Sequence, residues 1–201
     1  GAQTAGMIPV NLHNMVCDSY ATSGHKWMGG PRGTGLLYIR KDRLEDVEPS
    51  HVGGHSAPTY SLPDSITYAD SMERHEYGTR NTELVEGLSV AMEFQTQIGL
   101  ERIETYGSEL ATYLQTGLKG IDTVSILTPT DPAMRRSITT FSTPKIAYNT
   151  LTSRLMRDYR LRCRQVSEQG LDAVRVSTHI FNSRQDCDRV LEAVTEIVAS
   201  V

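Results

Sequence analysis

Residues 23–27 read SGHKW, and a glycine-rich stretch, MGGPRGTG, follows at residues 28–35. Lys26 lies between a segment at residues 15–22 that predicts a β-strand and a second predicted strand at Gly35–Ile39. The second segment, GLLYI, is apolar enough to predict burial on both faces. A lysine between two strands is usually a solvated surface charge. Glycines allow a backbone to approach a ligand closely, however, so this loop is a candidate site.

The residues around Lys26 suit a lysine that forms a Schiff base with an aldehyde. Such a lysine must lose its proton at neutral pH, which partial burial or a cationic neighbour such as His25 favours. Ser23 and His25 each offer a hydrogen-bond donor to a phosphate group, and a tight backbone at Gly24 would let both reach it. The five residues alone leave the alternative open, which is an exposed lysine without a role.

The composition excludes several other classes of function. A net charge of −4 over 201 residues gives no basic surface for nucleic acid or for an anionic membrane. No apolar run is long enough to span a membrane, and residues 1–12 lack the pattern of a signal peptide. Three cysteines, far apart in the sequence, indicate neither a disulfide framework nor a metal site, and they favour a cytoplasmic location.

The rest of the chain predicts a second, smaller α+β unit. Residues 48–80 predict a long irregular connection. Apolar periodicity then predicts two helices, one with Val85, Leu88 and Met92 on its inner face and ending at Gly99, the next running from Leu100 to about Gly120. The elements predicted after them are strands at Val124–Leu127 and Ser137–Phe141, a helix at Tyr148–Tyr159, strands at Leu161–Val166 and Ala173–Val176, and a helix after Ser183 with Asp186 in its capping box. We expect a division into residues 1–90 and residues 91–201.

Four stretches, in order, resemble the class V aminotransferase family of fold-type I enzymes, which depend on pyridoxal 5′-phosphate (PLP). They are GAQTAG at 1–6, SGHKWMGGPRGTGLLYIRKD at 23–42, EYGTRN at 76–81 and AVRVSTHIFNSRQDCDRVLEAV at 173–194. The resemblance covers the whole chain and extends to isopenicillin N epimerase-like and cysteine desulfurase-like members. It implies an α/β fold. Residues 1–90 would form the second half of the PLP-binding large domain, with a mixed sheet and helices, and residues 91–201 a smaller C-terminal α+β domain.

The resemblance implies a role in cofactor binding for four residues near the start of the chain. Lys26 would form the Schiff base with PLP and later carry the α-proton of a bound amino acid. Gln3 would form a hydrogen bond with the ring oxygen O3′. Ser23 and His25 would hold the phosphate group. Trp27, which follows the lysine, is expected in the core.

Two further matches concern the neighbouring subunit and the substrate. Gly78 and Thr79 resemble the element that reaches the phosphate of the neighbouring subunit, which implies a homodimer with a shared active site; the alternative is a simple turn before a helix. Arg80 either adds charge to that site or pairs with an acid at the surface, and we favour the second. Arg175 would bind the α-carboxylate of the substrate, since a guanidinium grips a carboxylate through two hydrogen bonds. The alternative for Arg175 is a surface charge at the end of a strand.

The implied chemistry takes place at Cα or Cβ of an amino-acid substrate, as transamination, epimerisation or β-elimination of a C–S bond. A first alternative, sulfur transfer of the cysteine desulfurase type, depends on Cys163. A strand at LRCRQV favours an inert packing residue, which we expect, and the flanking Arg162 and Arg164 leave a reactive thiolate as the alternative. A second alternative is a non-catalytic truncated homologue. By resemblance, the carboxylate that pairs with the ring nitrogen of PLP would precede Gly1, so we expect the chain to be incomplete as an enzyme.

Overall fold

The computed structural model describes all 201 residues, which divide into two compact units, Gly1–Gln97 and Ile98–Val201. The helices are α1 (Leu12–Met15), α2 (Thr82–Ile98), α3 (Leu100–Lys119), α4 (Tyr148–Tyr159) and α5 (Arg184–Ala199). The strands are β1 (Ser19–Ser23), β2 (Gly35–Ile39), β3 (Thr59–Ser61), β4 (Ser65–Thr67), β5 (Ser125–Ile126), β6 (Ile138–Ser142), β7 (Arg164–Val166) and β8 (Ala173–Ser177). Short 3-10 helices lie at Lys41–Asp46, Met72–His75, Pro132–Met134 and Glu168–Gly170. The division predicted after residue 90 falls inside α2.

The first unit contains two antiparallel strand pairs. β1 pairs with β2, and the register sets Ser23 opposite Gly35, so residues 24–34 form the loop between them. β3 pairs with β4 inside the connection predicted to be irregular. The strand predicted at residues 15–22 begins only at Ser19, because α1 precedes it and Val16 adopts a left-handed φ of 51°.

Burial in the first unit differs from the predicted pattern. Leu36 and Leu37 are 45% and 48% exposed, so the prediction that the second strand is buried on both faces is wrong. The reason is that a two-stranded sheet has too few neighbouring elements to cover both of its faces. Of the three residues predicted on the inner face of α2, only Leu88 is buried, whereas Val85 and Met92 are exposed. The other buried residue of this helix is Gln95.

The second unit is a four-stranded antiparallel sheet in the order β5-β6-β8-β7. Phe141 and Val174 are opposite each other on β6 and β8 and are fully buried, in one core with side chains of α3, α4 and α5. Their strand neighbours Thr140 and Arg175 form the next pair, on the opposite face, because side chains alternate along a strand. This alternation places Arg175 away from the apolar core.

The helices of the second unit confirm most of the sequence pattern. α4 has the predicted bounds, and α3 begins after Gly99 and ends at Gly120. α5 begins with the predicted capping box: the Ser183 side chain accepts from the backbone amide of Asp186, whose carboxylate accepts from that of Ser183. No helix of the chain combines the length and apolar character that a membrane crossing requires.

Candidate active site

The loop that carries Lys26, residues 24–34, is closed by hydrogen bonds within its own backbone. The amide of Gly24 donates to the carbonyl of Thr34, and the amide of Gly30 donates to the carbonyl of Gly24, both at 2.9 Å. The amide of Gly29 donates to the carbonyl of Lys26 at 3.1 Å. These bonds fix the backbone on both sides of Lys26, and a fixed backbone is a condition for a precisely placed functional side chain.

Close packing against α2 explains the glycine at position 24. Gly24 is buried, and a Cβ atom there would lie 2.4 Å from Thr34 Oγ1 and 2.9 Å from Leu88 Cδ1. A larger residue would therefore move the loop away from α2. The glycine-rich sequence thus serves contact with the protein's own helix, in addition to any contact with a ligand.

Trp27 joins the loop to two other parts of the first unit. Its indole Nε1–H donates to Gln3 Oε1 at 2.6 Å, and its carbonyl accepts from Gln95 Nε2 at 2.5 Å. The predicted core position of Trp27 is confirmed, since it is 9% exposed. Gln3, 24 residues earlier in the sequence, is therefore held beside the residue that follows Lys26.

The predicted cofactor-binding side chains fit PLP in their chemistry. Lys26 and His25 are exposed, and Ser23 is half-buried at the end of β1. The partial burial expected for Lys26 is not found, because no element of this chain covers its side chain. The set provides an accessible amine for an aldehyde, a hydroxyl and an imidazole for a phosphate group, and the amide of Gln3 for a ring oxygen.

Gly78 and Thr79 lie in the irregular segment that precedes α2. Thr79 is exposed and Gly78 is half-buried, and Asn81 caps the helix immediately afterwards by accepting from the amide of Leu84. The ion pair favoured for Arg80 is absent; its guanidinium instead lies 4.4 Å from the centroid of the Tyr77 ring, a cation–π contact. Contact of Gly78 and Thr79 with a second subunit stays a prediction.

In the second unit, Arg175 lies in the middle of β8 without an acidic partner. Arg164 of β7 stands opposite it and is bound to Glu168. The Nε atom of Arg175 is buried and has no hydrogen-bond partner. Burial and the neighbouring Arg164 lower the pKa of the Arg175 guanidinium, which stays protonated at neutral pH because arginine starts from so high a value. An unpartnered buried donor of this kind suits a carboxylate. The alternative of a strand-end charge does not fit a half-buried residue in mid-strand.

Cys163 immediately precedes β7 and packs half-buried against the core of the second unit. Burial raises the pKa of its thiol to about 11. Activation of this thiol by Arg162 and Arg164, the less favoured alternative, does not fit, because burial raises the thiol pKa and Arg164 is bound to Glu168. The thiol lines a surface groove together with Arg157 and Arg162.

Comparison with known proteins tests the resemblance to the class V aminotransferase family. The family model "Aminotransferase class-V" matches residues 1–190. The chain belongs to the class V aminotransferase family. A cysteine desulfurase of Pectobacterium atrosepticum is 32% identical over 206 residues, a match that covers 98% of this chain and 49% of that protein. The chain thus spans about half the length of the curated relatives it matches.

Solved structures of this family share the fold. The apo structure of a cysteine desulfurase from Thermococcus onnurineus NA1 gives a TM-score of 0.91 at 28% identity, covering 100% of this chain and 52% of that one. The cystine C–S lyase C-DES, in complex with its product cysteine persulfide, gives a TM-score of 0.84 at 26% identity, covering 98% of this chain and 51% of that one. The predicted α/β fold of PLP fold-type I is confirmed.

One residue that contacts the lysine loop was not among the residues predicted from the sequence. Gln95 on α2 is 4% exposed and anchors the carbonyl of Trp27. The signal was present in the sequence, since Gln95 lies seven residues, or two helical turns, after Leu88 and so belongs to the same buried face. A polar residue on an apolar helix face requires a hydrogen-bond partner.

Proposed function

We propose that this chain is part of a PLP-dependent enzyme that acts on an amino acid, with Lys26 as the residue that holds the cofactor. The observation that carries this proposal is the exposed Lys26 amine on a loop whose backbone is fixed on both sides. When bound, PLP supplies a pyridine ring that withdraws electrons from Cα of an amino acid. This chain would supply several of the other groups that surround such a cofactor.

Each of these side chains contributes a different interaction. Lys26 Nζ presents an amine to the cofactor aldehyde and accepts or returns a proton at Cα of the substrate. The hydroxyl of Ser23 and the ring of His25 donate to phosphate oxygens, and the Gln3 amide donates to the ring oxygen. The guanidinium of Arg175 would bind the α-carboxylate through parallel hydrogen bonds, and the absence of a hydrogen-bond partner for its buried Nε supports this role.

The substrate we propose is a sulfur-containing amino acid whose C–S bond is cleaved. Two findings support it: a relative at 32% identity is named a cysteine desulfurase, and the C-DES structure holds cysteine persulfide as its product. Of the two routes, β-elimination fits this chain better than sulfur transfer to Cys163. Transfer needs a thiolate as the attacking group, and the raised pKa keeps the Cys163 thiol protonated at neutral pH.

We also propose that the enzyme is a homodimer in which Gly78 and Thr79 reach the phosphate site of the other subunit. The exposure of Thr79 on an irregular segment supports this arrangement. Sedimentation of the protein at several concentrations measures the assembly directly. A monomer at all concentrations would contradict a shared active site.

Borohydride reduction of the PLP-treated protein, followed by peptide mass mapping, tests the role of Lys26. Borohydride delivers hydride to the carbon of the C=N bond and fixes the pyridoxyl group on the lysine that formed it. We expect the added mass on the Lys26 peptide, its loss in Lys26→Arg and its persistence in Lys41→Arg, which changes another exposed lysine. Equal labelling of the Lys26 and Lys41 peptides would contradict the proposal.

The same experiment is run on a longer protein in which residues 1–201 follow the N-terminal half of the Pectobacterium relative. Labelling of Lys26 in the longer protein alone would support a site completed by further residues. Absence of labelling in both proteins would favour the non-catalytic homologue.

The products formed from L-cysteine distinguish β-elimination from sulfur transfer. Elimination with addition of water gives pyruvate, ammonia and hydrogen sulfide, whereas transfer of sulfur to a thiol gives alanine and a persulfide.

A further inference from the structure

A buried series of hydrogen bonds runs from α2 through Trp27 to Gln3. Gln95 donates its Nε2–H to the carbonyl of Trp27, and the Trp27 indole donates to Gln3 Oε1. The two bonds meet at the residue that follows Lys26, and they link it to positions 68 residues later and 24 residues earlier in the sequence.

The indole determines which end of the Gln3 amide remains available. An indole nitrogen can only donate, so the amide atom that faces it must be the oxygen. Oε1 is therefore occupied, and Nε2, for which the structure shows no hydrogen bond, is the atom left for an external acceptor. Without the indole, the amide could rotate and present its oxygen instead.

Two residues confine the peptide between Trp27 and Met28. At Gly6, a Cβ atom would come within 2.4 Å of both the carbonyl carbon of Trp27 and the amide nitrogen of Met28. The side-chain amide of Gln95, which is 4% exposed, donates to the carbonyl of Trp27. A buried amide without a partner destabilises a protein, whereas an apolar residue on this helix face would not. The polar identity of residue 95 therefore serves the Trp27 carbonyl.

We propose that Trp27 and Gln95 are positioning residues of the site. Trp27 holds Gln3 so that its amide presents a donor, and Gln95 holds the carbonyl of Trp27, the residue that follows Lys26. This inference rests on the proposed function for its consequence, which is that a ring oxygen of the cofactor meets an N–H group of Gln3 and not an oxygen. The positioning itself is a property of the chain alone.

A first measurement needs no cofactor. Trp27 is the only tryptophan, so the 1H–15N spectrum contains a single indole signal. We expect this signal to shift in Gln3→Leu and its hydrogen exchange to accelerate roughly three- to tenfold, the effect of losing one ordinary hydrogen bond. In Gln95→Leu the signal also shifts, because the backbone of Trp27 is released. The matched control, Gln97→Leu, changes an exposed glutamine of the same helix and leaves the signal in place.

A second measurement uses PLP bound to Lys26 in the longer protein described above. The visible absorbance of the lysine–PLP bond is titrated with pH in the parent, Trp27→Phe and Gln3→Glu. A donor to the ring oxygen stabilises its anionic form, so removing the donor raises the titration midpoint, by about one pH unit for a charge-assisted bond. We expect this rise in Trp27→Phe and also in Gln3→Glu, in which the indole N–H keeps its slow hydrogen exchange because glutamate retains an acceptor oxygen.

The outcomes separate the two proposals. An indole signal that is the same in the parent and in Gln3→Leu would overturn the positioning role, whatever the cofactor does. An unchanged midpoint in Trp27→Phe would overturn it as well. If the parent protein takes up no PLP, the proposed function fails, and the indole measurement still decides whether Trp27 holds Gln3. Circular dichroism confirms that each variant is folded.

Discussion

The reactivity of Cys163 offers the sharpest test of the proposed chemistry. The thiolate is the form that displaces iodide from iodoacetamide, so the alkylation rate follows the thiolate fraction. Burial raises the pKa of this thiol from 9.0 to about 11. A difference of two units lowers the thiolate fraction at neutral pH about one hundredfold. We therefore expect Cys163 to be alkylated about one hundred times more slowly in the folded chain than in urea.

The pH dependence separates protonation from occlusion. In the folded chain the Cys163 rate should rise about tenfold per pH unit up to pH 10 without levelling off, because the thiolate fraction is still growing. In urea the rate should level off near pH 9. Cys187 is the internal comparison, since its pKa is also raised to about 11 while its side chain is only 2% exposed in the core. It should react more slowly than Cys163, which lines a surface groove.

Peptide mass mapping at timed intervals gives the rate for each cysteine separately. A Cys163 rate in the folded chain that levels off at or below pH 8 would refute the reasoning. It would show a thiolate stabilised by the flanking arginines, and sulfur transfer to this cysteine would then become the better function. A slow rate with the expected slope favours elimination.

Three predictions concern stability in urea, with Trp27 fluorescence reporting the first unit and circular dichroism at helical wavelengths the second. Gly6→Ala should lower the free energy of unfolding by about 2–4 kcal/mol, because the φ of Gly6 is +87° and a Cβ atom would clash with the lysine loop. Gly29→Ala, at a φ of +75° but with open space around the Cβ position, should lower it by about 1 kcal/mol. Equal losses in the two variants would contradict the clash. Leu155→Ala, at a residue with 0% exposure, should lower the free energy of unfolding by about 2–5 kcal/mol. The neighbouring Met156→Ala, at a residue with 54% exposure, should lower it by less than about 0.5 kcal/mol. A small loss in both variants would place Leu155 outside the core. Ser183→Ala should cost about 1 kcal/mol through loss of the capping box, and no loss would show that water replaces it.

The second unit could be predicted from the sequence because its elements are individually complete. α5 shows an apolar face at helical spacing together with a capping box, and α4 shows bounds that its structure reproduces. In the first unit the apolar pattern of the sequence predicted the strand but not its burial. The apolar run at Gly35–Ile39 predicts a strand, which is confirmed, but whether Leu36 is covered depends on which elements lie against the sheet. That is a property of the tertiary neighbours and not of the strand.

The site shows the same division between local and long-range information. Lys26, Ser23 and His25 are adjacent in the sequence, so one short motif identifies them. The bond between Trp27 and Gln3 and the anchor at Gln95 join residues that are far apart, and no local pattern specifies such a pairing. The alternative of a reactive Cys163 fails for a related reason: Arg164 is next to this cysteine in the sequence, but in the fold it is already bound to Glu168.

The charges around Arg175 explain how a single ion pair can leave a second arginine available for a ligand. Arg164 and Arg175 stand directly opposite each other on paired strands, an arrangement in which like charges repel. Glu168 neutralises one of the two, and Arg164 lowers the pKa of that carboxyl to about 2, so Glu168 is ionised at neutral pH. One positive charge remains, on a guanidinium whose Nε is buried and unpartnered. A carboxylate from outside the chain would complete the balance of two guanidinium and two carboxylate groups, and it would also relieve the repulsion. The same pairing that removes Arg164 as an activator of Cys163 therefore leaves Arg175 as the guanidinium that we propose binds the substrate carboxylate.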